Sequence, residues 1–563
     1  MTGRRLARIL IAYVVGVVAM STWVRHTASQ RSVERPMVVA SVWKRGELLA
    51  RSTLSSGEDP DKALEQALAV PDATLVYETD VAEAPLTSFS DTVLALSFVS
   101  GHDGVAATLG AQTAYVTVDD LLLANAYDHG VTVSALTLTT GTNAAVVWAL
   151  LAQRLHASVP ELRAHASLRR VRFERSTPRN PASPWAVATG ETVTHEEVEG
   201  ALLDAARYLA RGIHDDGRFR YMVDALTGRS LPGYDWPRHA GATYFLAQAA
   251  ARSHEAEIAM ACLRAASLIR DSALVSCGGA RCVGDGDRAD VGSSALALIA
   301  FVEIARTGLD PSYAALVGKL ATFLRSQQRQ DGEFMHEYDR ASGHPVDVQY
   351  LYYSGEATLA LSRAHLVTHD PADLEAATKG LAHLVGPAWS FFGDRYYFGE
   401  EHWTCQAMAD LWDRAPDPKA LDFCVRWQRY GRRMQYGAGE TPYDADGAIG
   451  VSTLITPRLT PVASRCEAGV ATLGVLERTG AEEEAAALDR QLRRSLALLV
   501  RRQLRPGTAH LFRDPALVYG AMPGSEVDQE LRIDYAQHGG SAMSRWLDLR
   551  LRPSPAGRSS APL

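Results

Sequence analysis

The residues best suited to chemistry gather in short clusters along the C-terminal part of this 563-residue chain. The richest are Arg238-His239, Tyr352-Tyr353 with Glu356, Glu401-His402-Trp403, Arg465 with Glu467, and Arg532 with Asp534, Tyr535 and His538. Two carboxylates across a glycosidic bond supply the acid and the base or nucleophile of hydrolysis; Glu356, Glu401 and Asp534 are the candidates. An imidazole or phenol beside a carbon next to a carboxylate moves a proton instead, as epimerisation or elimination requires. His239, His402, His538 and Tyr535 suit that task. Arg238, Arg465 and Arg532 can grip a carboxylate or sulfate through two parallel hydrogen bonds, while Tyr353 and Trp403 can pack on the apolar face of a sugar ring. A structural reading stands beside each: an acid at a helix start is also a cap, and the arginines can pair with Asp235, Glu467 or Asp534.

These clusters need elements that bring them together, and a repeat supplies them. Asp216-Gly217-Arg218-Phe219, with Asp224 and Gly228 behind it, recurs 115 residues on as Asp331-Gly332-Glu333-Phe334 with Asp339 and Gly343. A third, weaker copy, Asp446-Gly447-Ala448-Ile449, lies a further 115 residues along. Self-similarity at a fixed period means stacked copies of one supersecondary unit. In the first unit Thr194 and Glu197 form a capping box, and Val198, Leu202, Ala206, Leu209 and Ile213 make an apolar stripe at helical spacing. A second helix, apolar nearly all round and hence buried, follows from His239-Ala240-Gly241-Ala242.

Asp-Pro steps at Asp310, Asp370 and Asp417 announce further amphipathic helices. Small-residue openings near Gly292, Gly355, Thr404, Ala468 and Gly539 mark their buried partners, giving six hairpins in all. Six outer and six inner helices describe an (α/α)6 toroid over residues 194–550, with an open solenoid as the alternative. In a closed ring the starts of the inner helices meet at one mouth, where unpaired N–H groups favour anions.

The other segments differ in character. Arg4, Arg5 and Arg8 precede an uncharged apolar run, which reads as a signal anchor over residues 1–25. With the arginines held in the cytoplasm, it predicts a single-pass protein of the inner membrane whose bulk faces the periplasm or the outside. Residues 36–173 alternate β-rich and helical runs and form a small α/β domain; 174–193 read as a linker and 551–563 as a disordered tail. The formal net charge of −8 argues against a nucleic-acid partner. No cofactor and no resident metal are expected. Cys277 and Cys282, close together in a Gly-rich loop, read as a local disulfide.

The signatures Arg238-His239-Ala240-Gly241, Tyr352-Tyr353-Ser354-Gly355-Glu356-Ala357 and Glu401-His402-Trp403 resemble the six-hairpin glycosidase-like superfamily, above all D-glucuronyl C5-epimerases and N-acylglucosamine 2-epimerases, over about residues 194–548. The resemblance implies a toroid acting on a glycan, such as a uronate-containing one, outside the cytoplasm, as epimerase, lyase or hydrolase. In an epimerase or lyase an arginine would neutralise the uronate while Tyr353, Tyr535, His239 or His538 took the proton. In a hydrolase Glu401 or Asp534 would be the acid and Glu356 its partner.

Two alternatives remain open, a glycan- or partner-binding scaffold without turnover and a toroid similar to lanthionine synthetases. The latter would hold zinc through Cys405 and Cys466, although Glu467 stands where that family has His. In the N-terminal domain, Gly46-Glu47-Leu48-Leu49-Ala50-Arg51 and Gly101-His102-Asp103-Gly104-Val105 resemble the AMMECR-type domain, but the cysteine motif of that family is missing.

Overall fold

The computed structural model describes residues 32–55, 57–86, 90–127, 129–133, 136–178, 193–388, 402–440, 445–450, 456–505 and 510–551, with residues 8, 11–16, 18 and 19 near the start. Glu401, most of the expected linker and all but the first residue of the expected tail lie outside them.

The expected membrane anchor is corrected. No helix among the described residues is long and apolar enough to cross a membrane, for which roughly 20 apolar residues are needed. The single-pass inner-membrane placement is withdrawn with it.

The N-terminal domain is built on six strands: β1 (Met37–Lys44), β2 (Glu47–Ser55), β3 (Thr74–Leu86), β4 (Asp103–Leu109), β5 (Gln112–Val116) and β6 (Ser167–Ser176). They form one antiparallel sheet in the order β2-β1-β3-β6-β4-β5. Alternate residues of β3 are buried, as one packed face requires. The helix Ala144–Leu155 lies against β4 and β5 and buries Val147, Trp148 and Leu151. The domain meets the rest of the chain through buried charge. Asp119 accepts hydrogen bonds from Arg175 and from Nε2 of His510, both at 2.9 Å, and the Gly46 N–H donates to the His510 carbonyl at 2.7 Å.

Among the described residues, twelve helices of ten residues or more follow. The outer ones are α1 (His195–Arg211), α3 (Ala256–Leu268), α5 (Ala314–Ser326), α7 (Pro371–Leu384), α9 (Pro418–Arg433) and α11 (Glu482–Arg502); the inner ones are α2 (Trp236–Ser253), α4 (Val291–Arg306), α6 (Tyr353–Thr368), α8 (His402–Leu411), α10 (Leu459–Thr479) and α12 (Ile533–Leu551). Each inner helix packs on the next, and α12 packs back on α2. The ring is closed, so the solenoid alternative falls and the six-hairpin toroid stands.

Local signals explain most of the helix starts. Thr194 and Glu197 form a reciprocal capping box at α1, and Asp370 and Asp417 cap α7 and α9 ahead of a proline. Asp310 instead caps a short 3-10 turn leading into α5. Helices α10 and α12 begin at Leu459 and Ile533, about two turns before the expected openings at Cys466 and Gly539. Small residues in the inner helices are packing devices: a Cβ on Gly292 or Gly540 would run into the ring of Tyr353 or Phe245 on the neighbouring inner helix.

The repeated Asp-Gly phrase is a turn that seats each hairpin on the next. Asp216 accepts from the Arg218 N–H at 2.9 Å and Asp331 from the Glu333 N–H at 3.2 Å. Gly217 and Gly332 have φ of 88° and 96°, and a Cβ on them would lie 2.7 Å from the Arg264 carbonyl and 2.6 Å from the Lys379 carbonyl of the following outer helix. The Asp446-Gly447 copy abuts the Arg494 carbonyl of α11 in the same way.

Candidate functional site

The N-terminal ends of the inner helices surround a cavity of about 980 Å³. Of the residues expected at the mouth, Arg238, Tyr353, Glu356, His402, Trp403, Arg532, Asp534, Tyr535 and His538 line it. Glu401 lies outside the described residues. Two expectations are corrected. His239 is fully buried behind the wall and does not line the cavity. Its Nε2 lies 3.0 Å from the Ala265 carbonyl, which fixes the proton there, so Nδ1 accepts from the Tyr234 hydroxyl at 2.6 Å. Burial pushes this imidazole down to about 4, and it works as a neutral structural bridge. Arg465 turns away from the cavity, its Nη1 donating to the Pro461 carbonyl at 3.2 Å.

One side of the mouth is a lattice of charges. Asp534 accepts from Nε and Nη2 of Arg532 at 2.6 and 3.0 Å and from Nε of Arg238 at 3.3 Å. Arg238 also pairs with Asp235, the cap of α2. A third cation, Arg458, sits 2.9 Å from Asp528 and donates to the Tyr535 hydroxyl at 3.0 Å, which in turn donates to Glu530 at 3.0 Å. Held between two guanidiniums, Asp534 orients them. Burial pushes the Tyr535 phenol up to about 12 and carries Tyr353 higher still, so both keep their protons near neutrality.

The opposite side carries Tyr350, Tyr352, Tyr353 and Trp403 around Glu356. Tyr350 is held by its neighbours: its N–H donates to Nδ1 of His336 at 2.7 Å, and Nε2 of His336 lies 2.7 Å from Oγ of Ser354. Glu356 is buried, its Oε2 makes no hydrogen bond, and burial together with the charges of Asp290 and Asp235 pushes its carboxyl up to about 8. It therefore holds a proton at neutral pH inside a sugar-sized cavity.

The floor joins three inner helices. His402 of α8, Glu467 of α10 and His538 of α12 place one donor atom each within 4.8 Å of one another. Nδ1 of His538 donates to Oε2 of Glu467 at 2.7 Å. Burial opposes the charge on this imidazole, but the Glu467 carboxylate more than offsets it and raises His538 above its ordinary value.

The alternative of zinc held by Cys405 and Cys466 falls: Cys405 is disulfide-bonded to Cys424, tying α8 to α9, and Cys466 is a free, buried thiol pushed up to about 12. A second disulfide joins Cys277 to Cys282 in the hairpin of strands Leu274–Cys277 and Ala280–Asp285. The sequence places Glu467 at the mouth beside Arg465 without giving it a catalytic role, and it does not single out Arg458. A signal for Glu467 was present, since Cys466-Glu467-Ala468 echoes Gly355-Glu356-Ala357; for Arg458 there was none, because a long loop brings it to the mouth.

No family model matches the chain, and neither does any curated protein. Solved structures similar to it include three carbohydrate enzymes. A D-mannose isomerase is 13% identical with a TM-score of 0.47, covering 62% of this chain and 96% of its own. A cellobiose 2-epimerase from Bacillus thermoamylovorans B4167 is 10% identical with a TM-score of 0.49, covering 63% and 98%. An unsaturated glucuronyl hydrolase specific for heparin is 12% identical with a TM-score of 0.45, covering 63% and 98%. At these identities its chemistry is read from its own mouth.

Proposed function

We propose that this protein is a glycan-modifying enzyme that moves a proton on a sugar ring, as an epimerase or lyase does. The observation that carries the reading is the His538–Glu467 pair on the floor of a cavity that also holds the protonated Glu356. A base backed by a carboxylate and an acid that keeps its proton at neutral pH are the two groups such chemistry needs. Tyr350, Tyr353 and Trp403 supply ring faces for a pyranose.

The three arginines make a uronate-containing oligosaccharide the first substrate class to test, since proton removal next to a carboxylate is eased when a cation holds that carboxylate. Hydrolysis is the second reading, favoured by Glu356 as a ready acid. Incubation with uronate and neutral oligosaccharides in deuterated water separates these outcomes. Deuterium at the ring carbon marks epimerisation, an unsaturated product marks elimination, and a new reducing end without either marks hydrolysis. Binding with no product of any kind supports the scaffold instead and sinks the enzymatic reading.

A further inference from the structure

The floor of the mouth has a composition that proton transfer alone does not require. Two imidazoles and one carboxylate, from three different helices of a closed ring, converge so that one donor atom of each lies within 4.8 Å of the others. His402 and Glu467 are buried, and His538 is half-buried on the cavity side. The carboxylate is the informative member. Glu467 has no exposed surface, its Oε2 is used by His538, and its Oε1 makes no hydrogen bond at all. An uncompensated carboxylate oxygen in a dry position is destabilising. One oxygen of this carboxylate lies within 4.8 Å of a nitrogen of each imidazole.

We propose that His402, Glu467 and His538 form a binding site for one divalent transition-metal ion whose open position faces the mouth. Two histidines and a carboxylate with one open position are the donor set of catalytic zinc and related sites. The donors sit on inner helices packed in sequence, so the cluster is built in before any ion arrives. The hydrogen bond between His538 and Glu467 describes the ion-free form: the ion takes the place of the shared proton, which leaves to solvent. An ion bound there would polarise a sugar oxygen, with Glu356 the proton donor, and the base role of His538 would belong to the ion-free protein.

The inference rests on the mouth being a working site only for the use made of the ion; occupancy is measured without any sugar. The full chain is stripped with a chelator and titrated with Co²⁺, read by visible absorption, and with Zn²⁺ in competition. Expected are one equivalent of Co²⁺ with a tetrahedral or five-coordinate spectrum and its displacement by Zn²⁺. Glu467→Gln and His402→Asn should each weaken binding by at least about a hundredfold, while His344→Ala, at an exposed histidine elsewhere, should leave it unchanged.

Absence of a saturable equivalent in the wild-type protein overturns the proposal, as does equal binding by all the variants. If a variant fails to fold by circular dichroism, the wild-type spectrum still decides. Turnover of sugar by metal-free protein that binds no ion would sink this site and spare the proposed function; tight ion binding without sugar turnover would do the reverse.

Discussion

Nδ1 of His538 donates to Oε2 of Glu467 across 2.7 Å, although the two residues lie 71 positions apart and on different inner helices. That contact sets the proton affinity of the imidazole at the floor of the mouth. Replacing Glu467 with Gln removes the charge that raises His538 and keeps the shape. The metal-free variant should lose roughly 10²–10⁴ in kcat. Whatever activity remains should persist to lower pH than in the wild type, because His538 then gives up its proton more readily. An acid limb that stays in place would show that His538 is not the base.

Glu356 links the mouth to stability. Its folded value of about 8 stands above the ordinary carboxyl value of 4.5, so the folded state binds the proton more tightly than the unfolded one. The contribution of this group is therefore greatest at low pH and is lost as pH rises from about 4.5 to about 8, by as much as a few kcal/mol. Glu356→Gln should flatten that part of the Tm-versus-pH curve and leave the protein relatively more stable near pH 8. A curve that keeps its slope would place the titration elsewhere.

Arg532 and Arg238 share one carboxylate, Asp534. Arg532→Ala should raise KM for a uronate-containing oligosaccharide by about tenfold or more, the worth of a charge-assisted hydrogen bond, and change KM for a neutral one little. Asp534→Asn frees the guanidiniums from their partner without removing them and should raise KM far less for the anionic sugar. Equal losses on both sugars would assign the arginines to structure.

The Asp-Gly turns carry the stacking of the ring. Gly332→Ala puts a Cβ at φ 96° and against the Lys379 carbonyl, so it should cost about 2 kcal/mol or more. Gly228→Ala, where a Cβ meets open space although φ is also positive, should cost less. Denaturant melts of the two variants give the comparison.

The Cys405–Cys424 disulfide closes a stretch of 19 residues and fixes α8, which carries His402, against α9. Its loss through the double change to Ala should lower stability by about 3 kcal/mol and loosen the floor, seen as a lower Tm and faster exchange of the α8 amides. Unchanged protection of α8 would show that packing alone holds it.

The order of helices was legible in the chain because it is written locally. Caps at Thr194, Asp370 and Asp417, the 3.6-residue stripes and the turn at Asp216 and Asp331 each depend on neighbours within a few residues. So the count of hairpins, and the identity of many mouth residues, followed from spacing alone. What the chain could not supply was which groups touch, because that depends on the closing of the ring. Closure brings α12 onto α2, gathers Arg238 and Arg532 on Asp534, and sets His402, Glu467 and His538 in one knot. It also turns His239, adjacent to Arg238 in sequence, into the buried wall, since successive helical residues point about 100° apart. Periodicity determined the elements; the pairing of distant charges, and with it every proton affinity in the mouth, was decided by tertiary contact and the burial that comes with it.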